Sequence, residues 1–307
     1  MKISDIPRSD LTSALARDGI FLNTIPFTVQ LKTNLPSVIE GISKLYADYP
    51  ATFSDEFADF HIDISATSWF RRRIRPKVVF KHDGETPFMP LPIGQAFALF
   101  EWGLNWCVAN NIHKYLTFHS AALEKNGYSI ILPGVPGAGK STLCAALACR
   151  GWRLLTDELT IISTNHGGAI PVPRPISLKN ESIKIIKAFE TSAVIGAVTP
   201  NTVKGTVALM KPPINAIKRG LETARPAWVV FPKYTKGAES SLTSISKCNA
   251  FMRLIEYSFN YHVLGERGFG AIGRLLEESE AYEFTYSSLE EAVVIFDELA
   301  ETRSSIE

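Results

Sequence analysis

Apolar positions recur along this chain with two periods, and the periods divide it into parts. Phe27-Thr28-Val29-Gln30-Leu31 and Phe60-His61-Ile62-Asp63-Ile64 alternate apolar with polar, which predicts strands. Between them, residues 35–46 place Leu35, Val38, Ile39, Ile42, Leu45 and Tyr46 at helical spacing. A β-branched run at 77–81 precedes Asp83-Gly84, a hairpin-type turn signal. Residues 94–110 predict a buried helix, with Trp102 and Trp106 at i, i+4 read as core side chains. Together these segments read as a small α+β unit.

A second pattern starts near residue 116. Strand-like segments at 121–125 and 128–132 flank Asn126-Gly127, the strongest short hairpin signal. A glycine-rich loop follows, then a helix over 140–150 that stops at Gly151. Residues 153–162 read as one apolar strand carrying two acids. Pro171, Pro173 and Pro175 break the chain before a strand at 176–179, and Asn180-Glu181-Ser182 opens a helix to Phe189. A buried-type strand at 227–232 and helices at 247–263, 268–279 and 289–301 complete the pattern. Strands alternating with helices favour an α/β core, divided into an N-terminal accessory domain over 1–112 and a second domain over 113–307.

Composition narrows the class of protein. Of 307 residues, 46% are hydrophobic and 21% charged, which is ordinary globular usage and excludes a mostly disordered chain. Lysine plus arginine total 32 against 31 acids, so whole-surface attraction to nucleic acid is not expected. The one basic run, residues 71–77, reads as a solvated turn beside a strand. Four cysteines form no CxxC pair, which points to reduced thiols in a cytoplasmic protein. The most apolar stretch, 91–109, contains Pro92, Gln95, Glu101 and Asn105 and reads as a buried helix, so no membrane association is expected.

Gly134-Val135-Pro136-Gly137-Ala138-Gly139-Lys140-Ser141-Thr142 fits G-x-x-x-x-G-K-[ST] in full. The chemistry explains the residue types. Glycines let backbone N–H groups turn inward around phosphate oxygens. Lys140 carries a charge to the β and γ phosphates, Ser141 offers a hydroxyl to Mg²⁺, and the following helix points its positive end at the anion. An apolar strand precedes the loop and a helix follows it, as the motif requires, so ATP is the expected ligand.

Thr156-Asp157-Glu158 interrupts an apolar segment. Adjacent acids there are costly unless a cation or a donor satisfies them. Beside a phosphate loop, one acid can hold Mg²⁺ and the other can accept the substrate proton; otherwise the pair is an acidic turn between two short strands. His119 precedes the hairpin and by itself reads as a structural histidine. Arg174, Lys179 and Lys204 are candidate cations for the transferring phosphoryl group, though each taken singly reads as a surface or structural charge.

Residues 119–162 resemble the catalytic domain of HPr kinase/phosphorylase. The set is a histidine, a hairpin, the phosphate loop, a helix ending at Arg150-Gly151, and a strand with two adjacent acids. The chain is closer still to the HprK-related kinase A group, in 173–182, in Lys204-Gly205-Thr206-Val207-Ala208, in Trp228-Val229-Val230-Phe231-Pro232 and in Phe259-Asn260-Tyr261-His262. The resemblance implies a phosphate-loop kinase domain on a largely antiparallel or mixed sheet, of the type also found in phosphoenolpyruvate carboxykinase. It implies a catalytic part for His119. Glu158 stands where the family has a second aspartate, and the family's signature stretch after that strand has no clear copy. HPr itself is therefore not the expected substrate.

The expectation is an ATP-dependent, Mg²⁺-assisted kinase acting on a hydroxyl, serine by the resemblance, of a protein or peptide. Lys140 and the loop hold the phosphates, Ser141 and Glu158 the metal, and Asp157 takes the hydroxyl proton with His119 assisting. A small-molecule kinase and a nucleotide-binding regulatory module are the alternatives. The resemblance also brings a PqqD-type peptide-binding partner and a homo-oligomer into the expectations.

Overall fold

The computed structural model describes residues 1–54, 57–67 and 76–305. The chain is mixed α/β with several sheets and divides into two compact units. The first comprises Met1–Asn111 together with Leu178–Ile183 and Val194–Lys211; the second holds Ile112–Ser177, Lys184–Ala193 and Pro212–Glu307.

The first unit carries a six-stranded sheet ordered Ala51–Thr52, Ile20–Asn23, Thr28–Thr33, Phe60–Ala66, Lys77–His82, Leu91–Pro92. Thr28–Thr33 and Phe60–Ala66 run parallel, because the helix Pro36–Leu45 carries the chain back between them. That helix buries Val38, Ile39, Ile42 and Leu45, the stripe its periodicity marks. The helix Ala96–Asn111 buries Leu99, Phe100, Leu104 and Cys107. Trp102 and Trp106 are only half-buried, which corrects their reading as core: Lys204 Nζ lies 5.3 Å from the Trp102 ring centre, and Trp106 meets His82 and Phe88 edge-on. The later segment is tied in by polar contacts, with Lys44 donating to the Ile195 carbonyl at 2.9 Å and Lys211 paired with Asp48 at 2.6 Å. Of the basic run, Arg71, Arg72, Arg73, Ile74 and Arg75 lie outside the described residues. No helix among the described residues is long and apolar enough to cross a membrane.

The second unit is built on a mixed six-stranded sheet ordered Arg153–Thr156, Ser120–Lys125, Tyr128–Pro133, Arg225–Tyr234, Glu280–Tyr286, Ser241–Ser244. Asn126 at φ 56° and Gly127 at φ 87° form the tight turn that makes its first hairpin antiparallel. Arg225–Tyr234 then runs parallel to both Tyr128–Pro133 and Glu280–Tyr286. One face is packed by Ile131, Val229, Phe231, Leu254, Ile272 and Leu275. On the loop side the helix Lys140–Cys149 is buried continuously from Leu143 to Ala148. Its end is fixed by Gly151 at φ 94°, which lets the Trp152 N–H donate back to the Leu147 carbonyl at 3.1 Å.

Two expected elements are corrected. Residues 153–162 are not one strand: Arg153–Thr156 joins the six-stranded sheet, whereas Thr160–Ile162 pairs with Leu116–Phe118 and Ala169–Ile170 in a separate sheet. The acids occupy the turn between them. Residues 247–263 are not one helix either. Lys247–Tyr257 stops where Phe118 bridges Ser258 and Thr117 binds Asn260, and Tyr261–Leu264 is a separate turn of helix.

Candidate functional site

Strand register places the sequence-derived residues of the second unit along one sheet edge. Ser120 pairs with Pro133, so His119 and Gly134 leave neighbouring strands side by side. Thr156 pairs with Ala122, so Asp157 and Glu158 leave the next strand at the same end. Thr160 pairs with Phe118 and its hydroxyl donates to the Ser120 carbonyl at 3.0 Å, which closes the acidic turn over the His119 segment. This edge is also the C-terminal end of the three parallel strands, where α/β sheets place their ligand crevices.

The glycine-rich loop spans the strand Tyr128–Pro133 and the helix Lys140–Cys149. Val135, Pro136 and Gly137 are exposed, and Ala138 and Gly139 are half-buried. Gly137 at φ 90° and Gly139 at φ 92° take the left-handed backbone that a side chain would strain. Lys140 is buried, and its ammonium donates to the carbonyls of Gly134 and Val135, the latter at 3.2 Å. Ser141 and Thr142 open the helix half-buried, where the first-turn N–H groups have no carbonyl one turn earlier to bind.

Asp157 is buried, and its Oδ2 accepts the Ser177 backbone N–H at 2.8 Å. That bond pins the carboxylate to the segment carrying Arg174, which is buried too. Glu158 is half-buried. His119 is half-buried; its backbone N–H donates to the Tyr257 carbonyl at 2.8 Å, and its ring lies 5.9 Å from that of Phe259. Cys144, one turn into the helix, has its thiol pushed well up by burial and then by the nearby Asp157 charge.

Lys179 and Lys204 belong to the first unit. The Lys179 backbone exchanges hydrogen bonds with the Ser182 hydroxyl, at 2.7 and 2.6 Å, and Lys204 is the exposed cation over Trp102.

Among the described residues, no group of three or more histidine, cysteine, aspartate or glutamate side chains is placed to hold a metal ion. Ser141 and Glu158, the residues expected to hold Mg²⁺, offer oxygen, the donor type that cation takes from one or two protein groups and substrate phosphates rather than from an all-protein cage.

Periodicity missed the strand Glu280–Tyr286 and with it Tyr286, whose hydroxyl donates to the Gly139 carbonyl at 3.0 Å. The strand pairs only with segments distant in sequence, and its acids at 280 and 283 break the apolar alternation. Ser177 was missed because it acts through its backbone.

No family model and no curated protein matches the sequence. A solved structure, the Hpr(Ser) kinase/phosphatase from Coxiella burnetii, is similar over 62% of this chain and 97% of its own, at 11% identity and a TM-score of 0.27.

Proposed function

We propose that the second unit is an ATP-dependent kinase that transfers the γ-phosphoryl group to a hydroxyl, serine in a protein or peptide. The observation that carries this reading is the sheet edge itself. A complete G-x-x-x-x-G-K-[ST] loop, a buried aspartate and a histidine leave adjacent strand ends together.

On this reading the loop amides and Lys140 bind the β and γ phosphates, so the ammonium exchanges the Gly134 and Val135 carbonyls for phosphate oxygens. Ser141 and Glu158 hold Mg²⁺, which when bound supplies charge neutralisation on those phosphates. Asp157, oriented by the Ser177 N–H, accepts the proton of the attacking hydroxyl. His119 assists at the same edge, and Arg174 offers a cation near Asp157's segment. That Lys179 and Lys204 contact the acceptor or a phosphate rests on the sequence alone. Serine as acceptor, a PqqD-type peptide-binding partner and homo-oligomerisation rest on the motif resemblance.

The test is transfer from γ-labelled ATP to a panel of serine peptides, with metabolites and free serine in parallel. Alkali-labile label on a peptide supports the reading. ADP release with label only on a metabolite moves the acceptor to a small molecule. Tight ATP binding with no labelled product would make the unit a nucleotide-binding regulator.

A further inference from the structure

Two bonds hold the glycine-rich loop from outside, and both come from the ends of neighbouring parallel strands. The Tyr234 backbone N–H donates to the Ala138 carbonyl at 3.1 Å. The Tyr286 hydroxyl donates to the Gly139 carbonyl at 3.0 Å, an oxygen that also accepts the Leu143 N–H at 2.9 Å. A trans peptide group is planar, with its C=O and N–H on opposite sides. Drawing the carbonyls of 138 and 139 toward the strand ends and the helix therefore turns the N–H groups of Gly139 and Lys140 to the other face of the loop.

Tyr286 is itself held. Its ring stacks on Phe284 at 5.3 Å and meets Tyr234 edge-on at 5.7 Å. Burial, then the neighbouring Tyr234, pushes its phenol far above the usual range, so the hydroxyl stays a donor throughout the working pH range. Gly139 shows the same closeness from the other side: any Cβ there would run into the Tyr286 hydroxyl and the Tyr234 Cβ.

We propose that Tyr286 is a positioning residue for phosphate recognition. By holding the Gly139 carbonyl, its hydroxyl aims the Lys140 amide N–H at a phosphate oxygen of the bound nucleotide. The inference rests on the nucleotide reading above and adds a group outside the motif to it.

The test uses the full chain, inorganic pyrophosphate and ATP, with calorimetry and ¹⁵N–¹H spectra. In the native protein, pyrophosphate moves the Lys140 amide proton downfield. In Tyr286→Phe, affinity for both ligands falls about three- to tenfold, the worth of one neutral hydrogen bond, and the Lys140 shift shrinks. A merely structural tyrosine would lower the melting temperature and leave that shift intact. If Tyr286→Phe does not fold, p-fluorophenylalanine at 286 fills the hydroxyl's volume without donating, and p-aminophenylalanine restores a donor. The first should bind weakly and the second should rescue. Native affinity and a native Lys140 shift in the donor-less variants would overturn the inference while leaving the nucleotide reading standing. A native chain that binds neither pyrophosphate nor ATP would overturn the nucleotide reading, and this inference with it.

Discussion

Asp157 Oδ2 accepts the backbone N–H of Ser177 at 2.8 Å, and both residues are buried. An asparagine at 157 can still accept that bond through its own side-chain oxygen but cannot take a proton. Asp157→Asn should therefore keep its fold and its ATP affinity while phosphoryl transfer falls about 10²- to 10⁴-fold, the usual worth of a general base. Asp157→Ala should also leave the Ser177 N–H buried without this acceptor, at a cost of about 1–3 kcal/mol in urea unfolding. A fully active Asp157→Asn protein would remove Asp157 from the chemistry.

Lys140 is the charged group of the loop, and Lys140→Met keeps most of its stem. Losing a charge-assisted hydrogen bond to phosphate costs about 1.5–3 kcal/mol, so ATP affinity by calorimetry should drop roughly ten- to a hundredfold. Val135 is exposed and its carbonyl can turn to water, but Gly134 is buried and its carbonyl loses the Lys140 donor. The melting temperature should therefore fall as well, by the equivalent of about 1–3 kcal/mol of stability.

Glu124 and Arg153 form a buried ion pair under the hairpin, each 2% exposed. Glu124 Oε1 also accepts the Gly127 N–H at 2.6 Å, and Arg153 donates to the carbonyls of Arg219 and Glu222 at 2.8 and 2.9 Å. Removing one charge leaves the other buried, so Glu124→Gln should destabilise the protein by about 3–5 kcal/mol. The effect appears as a lower urea midpoint, with ligand affinity unchanged in the molecules that remain folded.

Burial, and then the Glu190 carboxylate, pushes the Cys149 thiol from its ordinary 9.0 to about 11, against a smaller opposing pull from Arg150. The thiolate is the reactive form, so at pH 8 iodoacetamide should alkylate Cys149 about a hundredfold more slowly in the folded than in the unfolded protein. The folded state holds its proton more tightly. Stability from this group is therefore complete below pH 9 and is lost as pH rises from 9 to about 11. Cys149→Ala should flatten that part of the melting-temperature curve.

The sequence carried the elements whose physics is local. Asn126-Gly127 specified its turn through two positive φ angles, and Val38, Ile39, Ile42 and Leu45 specified the inner face of their helix. What depended on tertiary pairing stayed hidden. The turn at Asp157-Glu158 holds no glycine or proline, so nothing local shows that Thr160–Ile162 departs to another sheet. Lys247–Tyr257 ends for a similar reason, because Asn260 is held by the carbonyls of Ile112 and Tyr115, far back in the chain. In the candidate site, the loop and the acids were visible as a motif and an anomaly of charge. Ser177 and Tyr286 were not, since one acts through its backbone and the other from a strand about 150 residues downstream whose placement is set by parallel pairing.

In a kinase of this kind the loop and Asp157 face one phosphoryl group, which a crystal structure of the full chain with Mg²⁺ and a non-hydrolysable ATP analogue would show. The triphosphate should be wrapped by residues 134–142, with Lys140 Nζ moved from the Gly134 carbonyl onto the β and γ phosphates and the Asp157 carboxylate facing the γ-phosphorus from the acceptor side. An analogue bound elsewhere, or a γ-phosphate that Asp157 does not face, would contradict it.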